Sequence, residues 1–124
     1  MFLSSTILCL ALLVYHEARN QPVIGQQAVM EVAYNRSKHK NYPNSVCSVV
    51  KQSDQFSWYK GSLKPPSKEK ESWEKSYKLA SDFYTKKTNH TKGAIFFNTT
   101  RMGVRYKVTT ENGKPCKIGG HIFY

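Results

Sequence analysis

At 124 residues and 40% hydrophobic content, the chain can bury one core but not two, so a single domain over residues 1–124 is expected, without an auxiliary binding module. Nineteen Lys and Arg against eight Asp and Glu leave a net charge of +11. That balance calls for a polyanionic partner such as nucleic acid, anionic lipid or a teichoic-acid-bearing wall, and does not choose among them.

The first predicted element is an apolar run from Ile7 to Tyr15. No Lys or Arg precedes it and no small-x-small cleavage site closes it, so a buried helix is expected in preference to a signal peptide or anchor. It is also about half the ~20 residues that a bilayer span requires. Ser4, Ser5 and Thr6 offer N-caps for a helix from Ile7 to Arg19, which is apolar nearly all round and hence central to the core. Asn20-Gln21-Pro22 ends it, and Pro22 suits the first turn of a second helix reaching Ser37, with Ala28, Val29, Val32 and Ala33 on one stripe. Ser45 is placed to cap a short helix from Val46 to Lys51.

A loop with Gly61, Pro65 and Pro66 separates the halves, and Ser67 can cap a helix from Lys68 to Lys86 whose buried stripe is Trp73, Tyr77, Ala80 and Tyr84. Three β-prone stretches follow: Ala94–Phe97, Val104–Thr110 and Ile118–Tyr124. Asn112-Gly113 is a hairpin signal joining the last two. The expectation is an α+β fold, mainly helical, with a small antiparallel sheet at the C-terminal end. Cys9, Cys47 and Cys116 are an odd number with no Cys-x-x-Cys pair, so they are expected as thiols, with a Cys47–Cys116 bridge as the lesser alternative.

Eight acids make a short inventory for chemistry: Glu17, Glu31, Asp54, Glu69, Glu71, Glu74, Asp82 and Glu111. Glu69, Glu71, Glu74 and Asp82 sit among lysines, where helix surface pairs explain them. Glu111 in the turn and Glu31 beside Met30 are expected to be solvated. Glu17 differs, because it ends an apolar helix at the edge of the core. A carboxyl there loses hydration, which raises its pKa and keeps it protonated near neutral pH, as a general acid requires. The plain alternative is a polar helix end.

The motifs Tyr15-His16-Glu17-Ala18-Arg19, Gly25-Gln26-Gln27-Ala28-Val29, Asn35-Arg36, Tyr42-Pro43-Asn44-Ser45-Val46-Cys47-Ser48-Val49-Val50 and Gln55-Phe56-Ser57-Trp58, in that order, resemble the cell wall hydrolase family typified by the spore-cortex-lytic enzyme SleB. The closing Ile118-Gly119-Gly120-His121-Ile122-Phe123-Tyr124 resembles the family's last strand. The resemblance implies a compact, broadly lysozyme-like domain that cuts the peptidoglycan glycan strand between N-acetylmuramic acid and N-acetylglucosamine. It places the catalytic glutamate, that of the Glu-Ala-Arg motif, on Glu17. Asn20 stands where members often have Gly, and Ile95-Phe96-Phe97-Asn98 where they commonly carry His or Tyr, so the cleft's contacts are expected to differ.

Glycosidases ordinarily pair two carboxylates. Only Asp54 offers a second here, and Gln52-Ser53-Asp54-Gln55 gives it no apolar setting. A lytic transglycosylase needs one, because the muramic C6 hydroxyl attacks its own C1 with the entropic advantage of an intramolecular step. Transglycosylation is therefore favoured over muramidase or glucosaminidase hydrolysis. Arg19 is assigned to substrate or to the helix C-terminal dipole, and Asn35 and Arg36 to support of the Glu17 loop or a surface helix end. Gln55 and Ser57 offer polar contacts to the sugar, Phe56 and Trp58 stacking faces, and His121 either a substrate contact or a structural imidazole.

Two rivals are set aside. A zinc peptidase needs a second His three residues after Glu17, where Asn20 stands. A nucleic-acid-binding module would explain the lysines interleaved with aromatics over Trp73–Lys87 and Arg101–Lys107, but not the motif order. The expectation is a monomer without metal, cofactor, membrane span or specific nucleic acid, held to an anionic wall by its charge. Lack of an export signal suits a phage endolysin released through a membrane lesion, or a lysin made in the bacterial cytoplasm.

Overall fold

The computed structural model describes residues 5–52 and 55–124, so Ser4 among the expected caps and Asp54 as the expected second acid lie outside the described residues. Helix α1 (Ser5–Ala18) is buried without a break from Cys9 to Tyr15. A helix with no polar face there must be covered on all sides. The covering is done by α2 (Val23–Ser37), α3 (Val46–Lys51) and α4 (Lys70–Thr85), which all pack against it. Leu10, Leu13, Val14, Val29, Val32 and Val49 fill the space between them.

Local signals set the ends of these helices. Pro22 occupies the N-cap of α2 at φ −56°, where a missing N–H leaves no helix bond unmade. The Ser45 hydroxyl accepts the Ser48 amide at 3.2 Å and starts α3. At α4 the expected Ser67 cap is not used: the helix begins at Lys70 after Glu69, whose backbone is left-handed at φ 55° and gives no side-chain cap. Its buried face also departs from the expected stripe, because Tyr84 is exposed while Ser76, Ala80 and Phe83 are buried. Phe83 lies three residues beyond Ala80 and meets Tyr34 of α2 edge-on at 6.3 Å, which turns the face by one position.

The cysteines correct the sequence reading. Cys9 of α1 and Cys47 of α3 are disulfide-bonded with Cα atoms 5.4 Å apart, and Cys116 is free. Pairing depends on α3 folding back onto α1, which Cys spacing does not encode. Glu31 is a second correction, being 1% exposed rather than solvated. Its carboxylate accepts the Thr88 hydroxyl at 2.5 Å and the His90 and Thr91 amides at 2.9 Å each. Three donors replace the water that burial removes, and they tie the segment beyond α4 onto α2.

The expected antiparallel sheet is present at the C-terminal end, built from β1 (Phe97–Thr99), β2 (Cys116–Ile118) and β3 (His121–Phe123) in the order β1-β3-β2. Phe97 and Cys116 flank Phe123, and Thr99 and Ile118 flank His121. Val104–Thr110 is not a strand, and the hairpin turns at Gly119-Gly120 instead of Asn112-Gly113. The Asn112 side chain accepts from Lys114 N and Thr110 Oγ1, so it closes a local turn within the loop rather than joining two strands. Ala94 and Ile95 precede β1 without a ladder, because side chains satisfy their backbone: Asn35 and Arg36 donate to the two carbonyls and Thr109 Oγ1 accepts the Ile95 amide. No described helix is long and apolar enough to cross a membrane.

Candidate active site

Glu17 sits in the last turn of α1, where the core ends and a cavity of about 620 Å³ opens. Gln55 and Phe56 line it from the loop after α3, Phe97, Asn98 and Thr99 from β1, and His121 from β3. Arg36, Tyr42, Phe96, Tyr106 and Tyr124 complete much of the wall. Among the described lining residues, Glu17 is the one carboxylate.

Burial holds the Glu17 carboxyl above its ordinary pKa. The Trp58 indole N–H opposes this rise from close by. It stays short of full hydrogen-bonding geometry, and the buried Nε1 has no other acceptor. Trp58 is itself held by a face-to-face stack on His16, ring centroids 4.6 Å apart at 15°, and by Phe56 at 5.7 Å. His121 is 8% exposed, and burial lowers its pKa, so its imidazole faces the cavity neutral. Its Nδ1 is buried without a partner.

The two residues expected to support the site hold the opposite wall. Asn35 donates to Ala94 O at 2.9 Å, and Arg36 donates from Nε to Ile95 O at 2.7 Å and from Nη1 to Gln55 Oε1 at 2.9 Å. The buried guanidinium thereby joins α2, the approach to β1 and the Gln55 loop, and it lies 5.2 Å from the Tyr42 ring centre.

Arg19 is not brought to the cavity. Its guanidinium donates to Tyr15 O at 2.8 Å, lies over the Tyr15 ring at 4.5 Å and pairs with Glu69 at 3.3 Å, while Tyr15 Oη donates to the same Glu69 oxygen at 2.8 Å. Ser57 is exposed and also lies off the cavity lining. Gln55, Phe56 and His121 are brought together there, with Trp58 behind Glu17.

Several lining residues were not singled out from the sequence. Asn98 donates to Tyr124 Oη at 2.7 Å and to Gly103 O at 3.2 Å, and Arg105 N donates to the same Tyr124 oxygen at 3.1 Å. These bonds fold the 100–108 loop beside the sheet. The one sequence signal for this wall was the density of aromatics in Phe96-Phe97 and at Phe123-Tyr124.

The fold is matched in solved structures. The chain is similar to the catalytic domain of the germination-specific lytic transglycosylase SleB from Bacillus anthracis, at 23% identity and a TM-score of 0.69, over 98% of this chain and 95% of that one. It is similar also to the catalytic domain of the Bacillus cereus SleB protein, at 23% identity and a TM-score of 0.66, over 99% and 91%. No curated protein sequence matches it. The model of the cell wall hydrolase family matches residues 20–124, beginning just past Glu17. The chain therefore belongs to the cell wall hydrolase family of peptidoglycan-degrading enzymes.

Proposed function

We propose that the chain cleaves the glycan strand between N-acetylmuramic acid and N-acetylglucosamine as a lytic transglycosylase, with Glu17 as its general acid. The observation that carries this reading is that Glu17 is the one carboxylate among the described lining residues and that burial pushes its carboxyl above the ordinary carboxylate range, the direction a general acid needs. Protonated Glu17 donates to the glycosidic oxygen as the C1–O bond breaks. The muramic C6 hydroxyl then bonds to C1 and returns its proton to the Glu17 carboxylate. No water is consumed, and the product ends in a 1,6-anhydro ring. The B. anthracis protein named as a lytic transglycosylase shares the fold, which accords with this route.

Gln55 and Asn98 offer polar contacts for sugar hydroxyl and N-acetyl groups, His121 lines the wall with them, and Tyr42, Phe96 and Tyr106 offer ring faces. The +11 net charge adds long-range attraction to an anionic wall. The test is to digest purified peptidoglycan and identify the new ends by mass spectrometry. A 1,6-anhydromuramyl end is expected. A reducing muramic acid would replace the reading with muramidase action, and a reducing glucosamine with glucosaminidase action.

A further inference from the structure

Beyond the Glu17 cavity, and separated from it by a wall of Tyr42, Phe96 and Tyr106 that lines both, lies a second cavity of about 520 Å³. Tyr106 stacks on Phe96 with centroids 5.0 Å apart at 28° and is 64% exposed, so the partition is a rim that a chain can cross. The far side carries His39, Asn41 and Lys107. The Asn41 amide donates to His39 Nδ1 at 3.1 Å, which leaves the ring proton on Nε2 as a donor. Lys107 is exposed, and no carboxylate occurs among the described lining residues. The cavity thus presents an ammonium, an imidazole N–H and a side-chain amide to whatever enters, with no anion to oppose it.

We infer that this second cavity binds the peptide stem of the muramic acid being cut, with Lys107, His39 and Asn41 receiving its carboxylates. The assignment rests on the glycan-cleaving reading above. Continuity with the Glu17 cavity favours an occupant attached to the reacting sugar itself. Two anionic substituents meet that condition, the peptide on the C3 lactyl group and a teichoic phosphate on C6. A C6 phosphate removes the hydroxyl that closes the anhydro ring, so the lactyl peptide is the one compatible with the reaction.

The test compares wild type and Lys107→Glu on two polymers: peptidoglycan with its stems, and the same glycan after an amidase has removed them. Lys107 is exposed, so reversing its charge leaves the core intact. The ratio of the rate on stem-bearing to that on stem-free glycan is expected to fall about fivefold in the variant, the size of an exposed ion-pair contribution. An equal ratio in both proteins would overturn the assignment. A ratio that responds to chemical removal of teichoic acid instead of peptide would also overturn it, and would give the cavity to phosphate. If wild type cuts neither polymer, the glycan-cleaving reading fails first and the stem site falls with it.

Discussion

Gln21 Oε1 accepts the Gly120 amide at 2.9 Å, which latches the loop leaving the Glu17 helix to the turn that enters the His121 strand. Gln21 and Gly120 are 99 residues apart in sequence, and this bond joins the end of the element that carries Glu17 to the start of the one that carries His121. Gln21 is held in turn by Gln26, whose side-chain amide donates to Gln21 O at 2.8 Å.

The latch leaves no room for a side chain at Gly119. Its φ is +59°, and a Cβ there would meet Gln21 Oε1 at 2.5 Å and Pro22 Cδ at 3.1 Å. Gly119→Ala therefore adds left-handed strain of about 1–2 kcal/mol to a clash that expels Gln21. The expected result is a melting temperature lower by several degrees with a larger loss of wall-lysis activity. Gln21→Ala, which removes the bond without the strain, should lose activity with a smaller fall in melting temperature.

Glu17→Gln separates function from stability in opposite directions. Lysis should fall by the ~10²–10⁴-fold typical of a lost general acid. The stability sign follows from burial, which raises the folded-state pKa. The unfolded chain loses its proton first as pH rises through about 4.5, so wild type loses stability from there up to the folded pKa. Glutamine carries no such penalty. The variant should melt higher than wild type at neutral pH, and the two should converge below about pH 4; a variant that melts lower at neutral pH would contradict burial of the acid.

Burial of Glu17 chiefly sets where the activity ends on the alkaline side, and Trp58 moves that limit downward. Its indole N–H favours the charged form of Glu17 against the effect of burial, while its ring is fixed by the His16 stack. Trp58→Phe keeps an aromatic face and removes the donor. The alkaline limb of the kcat/KM pH profile should move upward, since Glu17 then holds its proton to higher pH. An unmoved limb with a lower overall rate would reduce Trp58 to packing.

How far the site could be read from sequence depends on the range of the interaction. The position of Glu17 at the edge of the core was legible because an apolar helix ending in a carboxyl is a local pattern, and the Ser45 cap and the start of α2 after Pro22 are local too. What escaped is non-local. The Cys9–Cys47 bond needs two helices to meet, and Asn98 becomes part of the wall only when Tyr124 reaches it from 26 residues away. Val104–Thr110 has strand composition, yet its neighbours take the sheet positions and leave Val104, Tyr106 and Lys107 exposed. Arg19 shows the converse, a motif residue whose guanidinium is committed to Tyr15 and Glu69.

The disulfide should carry measurable stability. Closing a loop across a separation of 38 residues restricts the unfolded chain by about 2–4 kcal/mol. Reduction, or Cys47→Ser, should lower the urea midpoint accordingly, while Cys116→Ser, at the free cysteine, should leave it nearly unchanged. Equal midpoints with and without reductant in wild type would show that the bond does not form.

Glu31 gives the sharpest test of the fold around the cavity. Its Oε1 accepts the Thr91 amide, and its Oε2 accepts both the His90 amide and the Thr88 hydroxyl. Glutamine has nearly the same shape but only one acceptor oxygen. If that oxygen faces His90, the new NH2 group points at the Thr91 amide; if it faces Thr91, the NH2 group points at the His90 amide. A hydroxyl can rotate to accept from the NH2 group, but a backbone N–H cannot. One buried amide is therefore left without an acceptor in either orientation, at a cost of about 1–3 kcal/mol. Glu31→Gln should lower the unfolding free energy measured in urea by that amount and speed hydrogen exchange at the His90 or Thr91 amide, with lysis retained at temperatures where the variant is folded. Wild-type stability together with unchanged exchange at both amides would mean that Glu31 does not hold this segment, and that the segment reaches β1 by some other anchorage.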